Sequence, residues 1–113
     1  TLQSTLLMYF YPERCMNPGN VDGAAEIKAH AQERVCILLD QLDAELARHG
    51  GPWFLGESFS LLDPYLLMLC RWTRGMARPA RTLPHLAPYL QRVLARPAVQ
   101  RAYATEGIGA PLV

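Results

Sequence analysis

The chain has 113 residues, a formal net charge of +1, and hydrophobic side chains at half of its positions. A balance this close to neutral leaves no electrostatic footprint for nucleic acid or an anionic membrane surface, and no apolar run reaches the ~18 to 20 residues that span a bilayer. The apolar content suffices for one core without disulfides or metal.

The first predicted element, from about Leu2 to Tyr11, is apolar at Leu2, Leu6, Leu7, Met8, Tyr9 and Phe10. Pro12 ends it, because the residue before a proline is pushed out of helical geometry. Residues 12–23, with Pro12, Pro18, Gly19, Asn20 and Gly23, read as a loop. Asp22 is the expected cap of a long amphipathic helix over 24–49. Its apolar positions Ile27, Ala31, Val35, Leu38, Leu42 and Leu46 step by three or four, with Leu39 widening the stripe. Glu26, Lys28, Glu33, Arg34, Asp40, Asp43, Glu45 and Arg48 occupy the expected polar face. Gly50 and Gly51 end the helix.

After a short apolar stretch with Trp53, Phe54 and Leu55, a helix is expected from Ser60 to about Met76. It is apolar nearly all round at first and becomes polar at Arg71, Thr73 and Arg74. Such a helix reads as the central, buried one. A fourth helix is expected over 82–95, with Pro88 forcing a late start or a kink. Pro97 opens a last helix reaching about Thr105, and Gly107, Gly109 and Pro111 make a loose tail. The expected fold is all-α: about five helices around one central buried helix, in a single domain over 1–113.

Cys15, Cys36 and Cys70 are odd in number and lack C-x-x-C spacing, so they read as free thiols, neither a disulfide framework nor a zinc site. No metal site is expected. His30, His49 and His85 have no nucleophile or carboxylate at recognisable spacing and read as exposed or locally capping. A chain that opens at Thr1 without Met reads as processed or as a piece of a longer protein, and no signal peptide is visible.

Ser60-Leu61-Leu62-Asp63 is a variant capping box. The Ser60 hydroxyl is placed to accept from the Asp63 N–H, and the Asp63 carboxylate to accept from the Ser60 N–H. Tyr65, Leu69, Trp72 and Met76 share one helical face, which on the residues alone is either core packing or a pocket wall.

The string from Phe54 to Tyr65 resembles the glutathione transferase signature: Leu-Gly, a short polar spacer, the capping box and a buried helix. Leu69-Cys70-Arg71-Trp72 looks like the Leu-x-Arg-Trp of bacterial beta-class members. Leu83-Pro84-His85-Leu86, the run from Gln91 to Gln100, and Glu106-Gly107 are similar to the family's closing elements. The resemblance covers the chain from Leu38 onward.

The resemblance implies the C-terminal helical domain of a glutathione transferase, with the N-terminal thioredoxin-like domain absent from this chain. That absent domain would hold glutathione, the co-substrate of the whole protein. This chain would carry no catalytic residue and no cofactor, and alone would be inactive. It would wall a pocket for hydrophobic small molecules, with Trp72 and Tyr65 on one side and Gln3, Ser4 and Leu7 on the other. Beta-class members often carry His-Lys where Gln3-Ser4 falls. The resemblance further implies a cytoplasmic homodimer, with an exposed apolar patch drawn from Leu6, Leu7, Tyr9 and Phe10. The other reading of function is a stand-alone, non-catalytic helical module for protein–protein assembly.

Overall fold

The computed structural model describes all 113 residues. Five α-helices and two 3₁₀ turns follow one another with no strand, only one isolated bridge between Trp53 and Gly56. The chain divides into two compact units, Thr1–Leu39 and Asp40–Val113.

The first unit opens with α1, Leu2–Phe10. The Thr5 hydroxyl donates to the Thr1 carbonyl at 2.8 Å, and Leu2, Thr5 and Leu6 are buried. The helix stops ahead of Pro12, which starts a 3₁₀ turn over Pro12–Cys15. The next helix, α2, spans Val21–His49. Its cap is Asn20, whose side-chain oxygen accepts from the Gly23 N–H at 3.0 Å. The expected cap, Asp22, lies inside the first turn, where its charge complements the helix dipole. Ala31, Val35 and Leu39 are buried, while Ile27 and Leu38 are half-buried. Lys28 Nζ sits 5.0 Å above the Tyr9 ring.

The second unit begins within α2. Leu46 is buried and Leu42 half-buried. Asp43, expected on the polar face, is only 8% exposed. It stands four residues after Leu39 and three before Leu46, so helical spacing puts it on the buried stripe. Gly50 ends the helix with φ +64°. The Gly51 N–H then donates to His49 Nδ1 at 2.9 Å, and His49 Nε2 donates to the Phe54 carbonyl at 3.0 Å. Trp53 and Gly56 exchange a pair of backbone hydrogen bonds at 3.0 Å each. That turn folds Gly56 so close to Gly51 that a Cβ on Gly51 would lie 2.8 Å from the Gly56 backbone.

The third helix, α3, spans Leu62–Trp72 and buries Leu66, Leu67, Leu69 and Cys70. Its composition suggests burial all round, but Tyr65 is 43% exposed and Met68 37%, and Leu61, just ahead of the helix, is 86% exposed. It also ends four residues before Met76. The Thr73 hydroxyl donates to the Cys70 carbonyl at 2.6 Å and accepts from the Ala80 N–H at 2.8 Å, which turns the chain back. A 3₁₀ turn over Ala80–Thr82 leads into α4, Leu86–Leu94. The late start expected from the prolines is seen, with Pro88 in the first turn, where its missing N–H has no intrahelical acceptor. Leu86, Tyr89, Leu90, Val93 and Leu94 are buried, and α4 packs against both α3 and the last helix, α5.

The bounds of α5, Pro97–Thr105, are those expected. The tail is not loose. Arg71 Nη1 donates to the Pro111 and Leu112 carbonyls, Arg81 Nη1 to the Val113 carbonyl and the Tyr103 hydroxyl to Leu112. Val113 is buried.

A Gly51→Ala substitution must push the 53–56 turn away from the end of α2. Forced overpacking of this kind costs ~1 to 3 kcal/mol, and a urea denaturation series of the variant is expected to show a loss in that range.

Candidate functional site

Asp63 is fully buried in the first turn of α3, and its carboxylate gathers donors from three parts of the second unit. Oδ2 accepts from the Ser60 N–H at 2.9 Å, the reciprocal half of the predicted capping box. Oδ1 accepts from the Phe54 N–H at 3.0 Å and from the Tyr89 hydroxyl on α4 at 2.7 Å. The other half of the box differs. The Ser60 hydroxyl accepts from the Leu62 N–H, at 3.3 Å, and the Asp63 N–H is taken instead by the Ser60 carbonyl, at 3.1 Å. Burial, and then the bond to Asp63, raise the Tyr89 phenol above its ordinary value, so it stays a donor at neutral pH.

A second buried carboxylate repeats the device. Asp43 Oδ1 accepts from the backbone N–H groups of His85 and Leu86 at 2.8 and 2.7 Å, capping α4 from α2. Asp43 Oδ2 pairs with His85 Nδ1 at 3.0 Å. His85 therefore has the carboxylate partner that sequence spacing concealed, 42 positions away. Burial pushes the Asp43 carboxyl up, but the bonds from the His85 ring, the Leu86 N–H and the His85 N–H outweigh it and hold the group below its usual range.

The predicted pocket residues fall in two sets. Tyr65 and Trp72, seven residues apart on α3, share one strip, Tyr65 exposed and Trp72 half-buried. Leu69 and Met76, expected on the same face, are buried. Gln3, Ser4 and Leu7 are exposed on α1, in the first unit. The Ser4 hydroxyl is engaged locally, donating to the Thr1 carbonyl at 2.9 Å. Of the expected apolar patch on α1, Leu7 and Phe10 are exposed and Tyr9 is half-buried, its ring edge-on to Phe10. Leu6 is fully buried instead, and Met8 and Tyr11 take its place at the surface.

Cys70 is buried, which pushes its thiol up to about 12. A thiol so desolvated is a neutral core group, not a nucleophile, at physiological pH. Cys15 is exposed and Cys36 half-buried. No group of three His, Cys, Asp or Glu side chains is placed to hold a metal ion, and no helix is long and apolar enough to cross a membrane.

Comparison with known proteins places this arrangement. The family profile described as "Glutathione S-transferase, C-terminal domain" matches residues 27–96, more than half of the chain. The chain belongs to that family. Among curated relatives, glutathione S-transferase GstA of Escherichia coli O157:H7 is 36% identical over 56 residues, half of this chain and 28% of the relative. Glutathione S-transferase-like protein OpS6 of Beauveria bassiana (strain ARSEF 2860) is 37% identical over 73 residues, 61% of this chain and 33% of the relative. The matched segments thus span about a third of these relatives or less. No solved structure matches the chain significantly.

Two predictions follow from the carboxylates. Asp63→Ala leaves three donors without an acceptor, at ~1 to 3 kcal/mol each, so it is expected to destabilise by at least ~3 kcal/mol. Ser60→Ala is expected to cost the ~0.5 to 2 kcal/mol of a lost cap. Denaturant midpoints of the two variants test that order. For Asp43, a depressed folded-state value means stability that is present above the unfolded value and lost as pH falls through the folded one. The stability advantage of the wild type over Asp43→Asn is expected to be full at pH 6 and to shrink below about pH 4, the ordinary Asp range. Thermal melts from pH 7 to pH 2.5 read it directly.

Proposed function

We propose that this chain is the substrate-pocket domain of a glutathione transferase that conjugates or reduces hydrophobic electrophiles with glutathione. The observation that carries the reading is the Tyr65–Trp72 strip. These aromatic side chains stand outward or half-outward on a helix whose remaining large residues are mostly core, and family membership gives such a surface a use. The rest of the protein is a thioredoxin-like domain that binds glutathione. The assembly is a cytoplasmic homodimer in which the exposed Leu7, Met8 and Phe10 of α1 contribute to contacts between subunits. The names of the relatives, both glutathione S-transferase or a like protein, support the activity assigned to the whole.

In this division of labour the chain positions the electrophile and excludes water, while the thiolate is generated elsewhere. Catalysis of this kind needs the thiol held as thiolate beside the electrophile. Within this chain Cys70 is desolvated, and the His85 ring is paired with Asp43, the carboxylate that caps α4. The isolated chain is therefore expected to bind apolar ligands weakly and to leave glutathione conjugation at its solution rate.

The test is a titration of the isolated chain with a hydrophobic dye, followed by tryptophan emission, in the wild type and in Trp72→Phe. Saturable quenching that is lost in Trp72→Phe is the expected result. Quenching unchanged in the variant would remove Trp72 from the pocket. Saturable turnover of glutathione by the pure chain would contradict the assignment of chemistry to another domain. A chain that binds no apolar ligand yet self-associates strongly would favour the assembly-module reading.

A further inference from the structure

The near-neutral balance of the chain conceals two unlike parts. From Pro64 to Thr105 the sequence holds seven of its 11 basic residues, all arginines, and none of its 10 acidic ones. All seven lie in the Asp40–Val113 unit. Arg78 is paired with Asp40 at 2.6 Å. Arg92 donates to the Pro52 carbonyl, and Arg96 lies 3.5 Å over the Phe59 ring. Arg101 is exposed on α5. The other three, Arg71, Arg74 and Arg81, form one cluster where α3 ends and the tail returns. Arg74 Nη1 donates to the Arg71 carbonyl at 3.1 Å. Arg81 Nη1 donates to the carbonyls of Arg74 and Val113, at 3.3 and 3.0 Å. Arg71 Nη1 donates to those of Pro111 and Leu112, at 2.6 and 3.1 Å. Carbonyls adjacent in the tail, or three residues apart on a helical turn, are about 5 Å from each other, so the three guanidiniums stand within roughly 11 Å.

None of the three is paired with an Asp or Glu. Setting the terminal charge of the 113-residue chain against Arg81 still leaves two positive charges in excess. The carbonyl bonds complement the negative end of α3 and tie down the tail, but they engage only Nη1 of each side chain. Nε and Nη2 keep their donors free of hydrogen bonds within the chain, and that edge of a guanidinium pairs side-on with a carboxylate. The anchors also hold the forks in place before any ligand arrives, which lowers the entropy cost of binding.

We propose that this cluster docks a short acidic segment of a partner protein. Each fork is anchored on a different carbonyl, so the three are spread rather than converged on one oxyanion. Such a spread matches carboxylates two residues apart on an extended chain, about 7 Å at 3.3 Å per residue. The patch is also limited in extent by charge. Asp40 is exposed on α2 at Arg78, and Glu106 is exposed ahead of the tail. A long polyanion such as nucleic acid, which needs more contacts than this cluster offers, runs onto those carboxylates, and a short segment does not. The docking does not rest on the pocket proposed around Trp72 and does not depend on glutathione.

The experiment is an NMR titration of the 113-residue chain with a capped peptide of alternating Glu and Gly, reading the arginine Nε–H signals. At about 0.01 M salt the Arg71, Arg74 and Arg81 signals are expected to move together and saturate, and the binding to weaken at about 0.15 M. Arg74→Gln is expected to weaken binding about three- to fivefold, the upper range for an exposed ion pair. The Arg74 side chain bonds only within its own turn, so the denaturation midpoint of this variant is expected to stay near that of the wild type. Arg101→Gln makes the same change of net charge outside the cluster and is expected to leave the affinity unchanged. Equal weakening by both variants would reduce the effect to net charge and overturn the proposal. Absence of saturable shifts would overturn it as well. So would tighter binding of an oligothymidylate with the same number of charges, which would make the surface a nucleic-acid site.

Discussion

The Asp63 carboxylate is the constraint on which the second unit depends. A buried carboxylate is tolerable only when its oxygens are satisfied, and here each donor comes from a different stretch: Ser60 ahead of α3, Phe54 in the turn after α2, and Tyr89 on α4. The same charge that starts α3 therefore fixes the approach of the loop and of the neighbouring helix. His49 reinforces this from the other side by bridging the end of α2 to the Phe54 carbonyl. Asp43 anchors the start of α4 in the same manner. Two acidic side chains on helices thus orient elements that apolar packing alone would hold only loosely, because hydrophobic burial is non-directional.

Fixing α3 in this way determines which of its faces remain available. Leu66, Leu67, Leu69 and Cys70 turn into the core. Leu61, Tyr65 and Met68 are left at the surface.

Local signals were legible in the sequence. The limits of α5 follow from Arg96-Pro97, the late start of α4 from Pro88, and one half of the capping box from the Ser60–Asp63 spacing. Long-range polar bonds were not. Asp43 looks like a surface residue because its partners, His85 and Leu86, lie more than 40 positions away. The ordering of the tail by Arg71 and Arg81 is hidden for the same reason. Composition also misled on α3: a nearly all-apolar run states that a helix dislikes water on most sides, not that the fold covers them. The site residues Gln3, Ser4, Leu7, Tyr65 and Trp72 came from resemblance, since exposed aromatics and core aromatics share the same helical spacing.

The most direct measurement is native-state hydrogen exchange at the amides bonded to the buried carboxylate. If Asp63 joins the loop, α3 and α4 into one cooperative element, the Phe54 and Ser60 amides exchange only through the opening that also exposes the core of α4. Their exchange free energies would then equal those of Leu90 and Val93, and would fall with denaturant at the same slope. Exchange of the Phe54 and Ser60 amides at a much lower free energy, independent of denaturant, would mean that the loop opens by itself, and the account of Asp63 as the tie between these elements would be wrong.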